Sequence, residues 1–153
     1  MRKIYLDMNI YNRPFDDQSQ IRIKLETIAI FAVFQMVKLG DLFLVWSFIL
    51  DYENSLNPYD DIRMEIEMSA YLASENVMAS EDIRKMAKEY EHKGIKPRDA
   101  LHIACALKAG AEYFLTCDDK IVKKAKMLGV NLKIINPIDF ARKMEVNQYA
   151  TDE

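Results

Sequence analysis

The stretch Lys3-Ile4-Tyr5-Leu6-Asp7-Met8-Asn9 decides the reading of this chain. A short apolar run reads as a buried strand, and this one passes directly into an acid. The pattern returns far along the chain, where Glu112-Tyr113-Phe114-Leu115-Thr116 leads into Cys117-Asp118-Asp119. Two further acids stand at the starts of helical patterns: Glu53 in Asp51-Tyr52-Glu53, and Asp99 in Lys96-Pro97-Arg98-Asp99-Ala100. In an open parallel α/β sheet, strand ends and helix starts meet along one edge, and ligands bind there. Four carboxylates gathered on that edge repel one another too strongly to stay ionised without cations. Hard divalent ions with a preference for carboxylate and water oxygens, Mg²⁺ or Mn²⁺, answer that repulsion, as one or two ions.

Working outward, turn residues mark Asn9 to Gln18 as a loop, since it holds Asn12, Pro14, Asp16 and Asp17. A helix is expected from about Ser19 to Leu39, with Ile21, Leu25, Ile28, Ala29, Ala32, Met36 and Leu39 at helical spacing. Leu42 to Trp46 reads as a strand. Ser47 is an N-cap candidate for a helix over Phe48 to Leu56, which Asn57-Pro58 ends. Further helices are expected over Asp60 to Ala73, from Ser80 to Gly94, over Asp99 to Ala109, over Asp119 to Leu128 and over Pro137 to Met144. Short strands are expected at Asn76 to Ala79, Glu112 to Thr116 and Leu132 to Ile135. Strands alternating with helices imply right-handed parallel crossovers. The expected fold is a three-layer α/β/α sandwich with a central, mostly parallel sheet. It forms one domain over residues 1–146, followed by a polar tail over 147–153.

The composition agrees: 153 residues suffice for one core, half of them are apolar and 29% are charged. Cys105 and Cys117 lack metal-ligand spacing and lie in apolar segments, so they read as buried free thiols of a reducing cytoplasm. Arg2-Lys3 leads straight into a strand pattern rather than a signal peptide, and the apolar stretch Ile28 to Val37 is too short to span a bilayer. A net charge of −3 says little about nucleic acid, because clustered acids that bind cations lose their charge locally.

Two metal ions held by such acids can clamp the attacking and leaving oxygens of a phosphodiester, with no histidine base or covalent nucleophile. Asn9 and Thr116 are the polar residues placed to orient these carboxylates. Asp51 near Glu53 and Asp119 beside Asp118 remain open as alternative or additional ligands. Arg13 and Arg98, with Lys123 and Lys124, are candidates for contacts to a phosphate backbone.

Taken in order, Asp7-x-Asn9, the mid-chain Glu53, Arg98-Asp99-Ala100-Leu101-His102-Ile103-Ala104-Cys105-Ala106 and Leu115-Thr116-x-Asp118-Asp119-Lys120 resemble a PIN domain from Tyr5 to about Phe140. The opening Tyr5 to Gln18 resembles a bacterial and archaeal branch of stand-alone members. The resemblance implies a metal-dependent ribonuclease, with Asp7, Glu53, Asp99 and Asp118 in the acidic positions and Asn9 and Thr116 in the supporting ones. It also implies an antitoxin protein as partner, where the chain is a VapC-type toxin, and a homodimer.

Plainer readings stand beside each residue. Asp99 and Asp118 suit helix N-caps, His102 suits a hydrogen-bonded core histidine, Arg13 suits a salt bridge to Asp16 or Asp17, and the lysines suit a solvated face. The aromatic residues fall mostly at core spacing and offer no base-stacking platform. The competing function is a non-catalytic PIN scaffold that binds RNA or protein. Halo-acid dehalogenases require an aspartate where Asn9 stands, and receiver domains require a different order of acids.

Overall fold

The computed structural model describes residues 2–152, with side-chain surroundings given through residue 145. Its sheet has five parallel strands: β1 (Lys3–Leu6), β2 (Phe43–Ser47), β3 (Glu75–Val77), β4 (Tyr113–Leu115) and β5 (Lys133–Ile135). Their spatial order is β3-β2-β1-β4-β5. The chain therefore winds one way from β1 through β2 to β3, then crosses back to place β4 on the other flank of β1. The carboxyl ends of β1 and β4 lie on either side of this reversal, where an open sheet leaves a crevice. Register pairs Leu6 with Leu115, and the Asp7 amide donates to the Leu115 carbonyl at 3.0 Å. The residues following the two strands, Asp7 and Thr116, are thereby set side by side.

Successive side chains of a strand point to opposite faces. Ile4, Tyr5 and Leu6 are all fully buried, so both faces of the sheet are covered. The covering helices are α1 (Met8–Asn12), α2 (Ile21–Lys38), α3 (Phe48–Ser55), α4 (Asp60–Ala70), α5 (Glu81–His92), α6 (Pro97–Lys108), α7 (Asp119–Ala125) and α8 (Pro137–Asp152). Helix α2 packs on α8, α5 packs on α6, and α3 bridges α6 and α4. Tyr5 and Phe114 stack across β1 and β4 with ring centroids 5.3 Å apart. Full burial of such a ring contributes about 2–3 kcal/mol.

Capping chemistry fixes several helix starts. The Ser47 and Ser80 hydroxyls accept from the amides of Leu50 and Ile83 at 3.4 and 3.3 Å, as their sequence positions predict. Gly94 ends α5 at φ +96, a conformation that costs other residues strain. The chain then turns through Ile95 and Lys96 into Pro97 at the first position of α6, two residues before Asp99.

Three expectations are corrected. The segment Asn9 to Gln18 is not all loop: α1 starts directly after Asp7, and a 3-10 turn follows at Arg13–Phe15. Asp7 itself caps α1 by accepting from the Met8 amide at 2.8 Å, and Pro14 suits the first turn of the next helix as well as it suits a loop. Helix α2 is rotated from the face its apolar spacing indicated. Ile21, Leu25, Ile28 and Leu39 are exposed, and Ala29, Ile30, Val33 and Val37 are buried with Glu26 and Thr27. This helix is apolar almost all round, so spacing alone cannot choose a side. The buried Glu26 carboxylate sets the rotation by taking Asn136 Nδ2 at 2.6 Å and the guanidiniums of Arg13 and Arg22 at 3.3 and 3.5 Å. The final helix extends past Met144 to Asp152, so the backbone of the polar C-terminal segment continues α8. Among the described residues, no helix is long and apolar enough to cross a membrane.

Candidate metal centre

Asp7 stands at the middle of the crevice, buried and held on both oxygens. Its Oδ1 accepts from the Met8 amide at 2.8 Å. Its Oδ2 accepts from the Thr116 hydroxyl at 2.8 Å and from Asn9 Nδ2 at 3.1 Å. Asn9 also donates to Thr116 Oγ1 at 3.1 Å, and its own carbonyl oxygen accepts from the Cys117 amide at 3.0 Å. Asn9 thus ties the end of β1 to the loop after β4, and it fixes which way both side chains point. A carboxylate oxygen has two lone pairs, so Oδ1 keeps one after binding Met8.

Glu53 reaches the same crevice from the second turn of α3. His102, one turn after Asp99 on α6, hydrogen-bonds Glu53 Oε1 through Nε2, and this nitrogen lies 3.8 Å from Asp7 Oδ1. Among the described residues, Asp7, Glu53 and His102 form a group whose ligand atoms all lie within 4.8 Å of one another. Asp99 and Asp118 are not part of that group, though their charges and those of Asp7 and Glu53 bear on one another. The Asp99 carboxyl is pushed up to about 6, first by burial and then by the charges of Asp7, Asp118 and Glu53. Burial also raises Asp7, against the opposing pull of His102 and the Thr116 hydroxyl. Burial by itself would lower His102, but the hydrogen bond to Glu53 and the charges of Asp7 and Asp99 raise it overall. Without a cation the cluster is electrostatically stressed, the condition that a divalent ion with oxygen ligands relieves. The donor set, carboxylates with one buried imidazole behind them, fits Mg²⁺ or Mn²⁺.

The neighbouring acids part company. Asp118 caps α7, with Oδ1 accepting from the Lys120 amide at 2.9 Å, and its own amide donates to Thr116 Oγ1 at 3.1 Å. Asp119 points the other way and makes two bonds to Arg22, at 2.8 and 2.9 Å, which hold its carboxyl below the usual range. Asp51 accepts from Trp46 Nε1 at 2.7 Å. Neither Asp119 nor Asp51 is brought to the cluster. Arg13 is turned toward Glu26 and Asp16, the plainer of its two readings. Arg98 remains at the rim, 3.9 Å from Glu53 Oε2, with its guanidinium 5.3 Å from the Tyr52 ring centroid.

A family profile described as PIN domain matches residues 4–127. The chain belongs to the PIN domain family. Members are generally nucleases that use divalent metals, and the acid cluster of this PIN chain sits where its sheet reverses. No curated protein sequence matches it. Among solved structures, a chain in the crystal structure of VapBC2 from Rickettsia felis, bound to a DNA fragment from their promoter, is similar in fold. The TM-score is 0.56 at 17% identity, over 88% of this chain and 98% of that one.

Two residues that sequence reasoning missed stand behind the PIN site. The Tyr5 hydroxyl bridges His102 Nδ1 and Ser47 Oγ, both at 2.6 Å. This chain fixes the imidazole plane and so the direction of Nε2. Burial keeps the Tyr5 phenol neutral by raising it well above its ordinary value. Tyr5→Phe leaves His102 and Ser47 with unmet hydrogen bonds in the core. The expected loss is about 2 kcal/mol, a fall of roughly 4–8 °C in Tm measured by thermal denaturation. An unchanged Tm would mean that the bridge carries no net stability. Cys105 and Cys117 are free and buried, and burial pushes both thiols up to about 12, so neither is poised as a nucleophile.

Proposed function

We propose that this chain is a divalent-cation-dependent endoribonuclease that hydrolyses RNA phosphodiesters by in-line attack of water, leaving a 5′-phosphate and a 3′-hydroxyl. The observation that supports the reading is the group of Asp7, Glu53 and His102 at the sheet reversal, whose ligand atoms lie within 4.8 Å of one another, with Asp99 one helical turn before His102. Asp7, Glu53, Asp99 and Asp118 would hold the ion or ions. When bound, the ion supplies charge opposite the reacting phosphate and lowers the pKa of a water at that point.

The chain's own residues do the rest. Asn9 and Thr116 keep the Asp7 carboxylate in one orientation, and the Tyr5–His102 pair does the same for Glu53. Arg98 is exposed and only weakly paired with Glu53 at 3.9 Å, so it is free to take a substrate phosphate. Lys123 and Lys124 are exposed on α7, the helix that Asp118 caps, and would serve as contacts for the RNA backbone.

The test is cleavage of single-stranded and structured RNAs by purified protein in Mn²⁺, in Mg²⁺ and in EDTA. Cleavage with either metal and none in EDTA is the expected result, and metal-independent cleavage or none on any RNA would overturn it. Replacing Lys123 and Lys124 together by alanine is expected to weaken RNA binding and flatten its salt dependence by roughly 0.7 in log–log slope per lost phosphate contact. An unaltered slope would return those lysines to solvent.

The fold it shares with a chain of VapBC2 supports a second protein as regulator, an antitoxin that covers the carboxylates with a basic side chain. The working compartment is the cytoplasm, where the thiols stay reduced, and homodimerisation is part of the same reading.

A further inference from the structure

A groove of about 420 Å³ runs outward from the acid cluster between the 3-10 turn and the α3–α4 connection. Glu53 belongs to both the cluster and the groove, and Met8, the residue after Asp7, lines it too. Its walls carry Phe15 and Tyr59, which are 44% and 63% exposed. Most aromatic residues fall at core spacing, and these two are among the exceptions that reach the surface. Arg98 stands at the end near Glu53.

Asn54 underlies the groove. It lines the groove, is only 3% exposed, and gives its Nδ2 to the Arg63 carbonyl at 3.1 Å. That donation settles which end of the amide is which, and it leaves Oδ1 as a buried acceptor with no partner.

We infer that this groove holds the base of a nucleotide next to the scissile phosphate in single-stranded RNA. The base stacks against Tyr59 and Phe15, and its phosphate lies on Arg98. A flat ring with a nearby anion uses the exposed aromatic faces and the guanidinium together. An apolar side chain of a protein would leave Arg98 unmet. The volume falls in the range of pockets that take small ligands, and stacking tolerates any base because each has a π-face. A duplex keeps its bases inside and cannot enter. This inference rests on the ribonuclease reading.

The test is fluorescence anisotropy of a short labelled single-stranded RNA with the full chain in Ca²⁺, beside a duplex of the same sequence and Mn²⁺ cleavage kinetics. Tyr59→Ala and Phe15→Ala, both at exposed positions, are each expected to weaken single-strand binding about tenfold and to raise KM with kcat little changed. Tyr59→Phe, which keeps the ring, is expected to stay within about twofold of the wild type, and duplex binding is expected to be insensitive to all three. Single-strand affinity and KM unchanged in both alanine variants would overturn the groove while leaving the nuclease in place. Binding that depends on Tyr59 without any Mn²⁺ cleavage would uphold the groove and remove the nuclease. No RNA binding by the wild-type chain would overturn it and leave the groove to a protein partner.

Discussion

Asp7→Asn is expected to lower metal-dependent RNA cleavage by about a thousandfold or more, which corresponds to ~4 kcal/mol of lost transition-state stabilisation. The fold should survive. An asparagine with its oxygen turned to Thr116 and Asn9 keeps those two bonds and gives up only the one from the Met8 amide. Burial already disfavours the charged form of Asp7, so neutralising it removes a cost as well as a ligand. Circular dichroism and Tm are expected to match the wild type while activity is lost. Activity retained within a few-fold would show that Asp7 is a helix cap and nothing more.

Asp99→Asn separates stability from activity more sharply. The carboxyl is pushed up to about 6 in the folded chain, first by burial and then by Asp7, Asp118 and Glu53, whereas an unfolded aspartate titrates near 3.8. The folded state therefore holds more protons than the unfolded state between these values, and stability falls as pH rises through that window. Above about 6 the full penalty applies; below about 4 it vanishes. Since Asp99 is only half-buried, solvent screening reduces the effect to ~1 kcal/mol. Metal-free Asp99→Asn at pH 7.5 is expected to melt ~2–4 °C above the wild type, with the gain fading as pH drops toward 4. Its cleavage activity should be lost at every pH. Equal melting temperatures across that range would mean that the carboxylates do not repel one another as the geometry implies. In the wild type, metal binding competes with the Asp99 proton, so affinity is expected to rise with pH up to about 6 and then level off.

The parts of this fold that local chemistry dictates could be read directly. Ile4 to Leu6 is an uninterrupted apolar run, so β1 and the acid after it were plain. Ser47, Ser80 and Pro97 occupy cap or first-turn positions whose hydrogen-bond logic is local, and each marks a helix start within a residue. The alternation of strands and helices gave parallel pairing, and with it an edge where the four acids could meet.

What depends on distant partners could not be read. The face of α2 is chosen by Glu26 meeting Arg13 and Asn136, the latter 110 residues away, and the apolar spacing of that helix holds no trace of the choice. Asp118 and Asp119 are adjacent and chemically identical in sequence. One oxygen of Asp118 is spent on the α7 cap facing the crevice, and Arg22, 97 residues earlier, draws Asp119 away. His102 was legible as a core histidine. Its place between Tyr5 and Glu53 joins three elements, and the one available signal was its spacing of one helical turn from Asp99. The exposed Phe15 and Tyr59 were hidden by their composition, since an aromatic residue in a turn looks the same whether it anchors the loop or lines a groove.

The central claim is that these acids form a divalent-cation site, and calorimetric titration of the wild-type chain with Mn²⁺ at pH 7.5, beside Asp7→Asn, tests it most directly. The account predicts saturable binding of one or two ions, competition by Mg²⁺, and loss of that binding in the variant. No saturable binding by the wild type, or equal binding by Asp7→Asn, would contradict it.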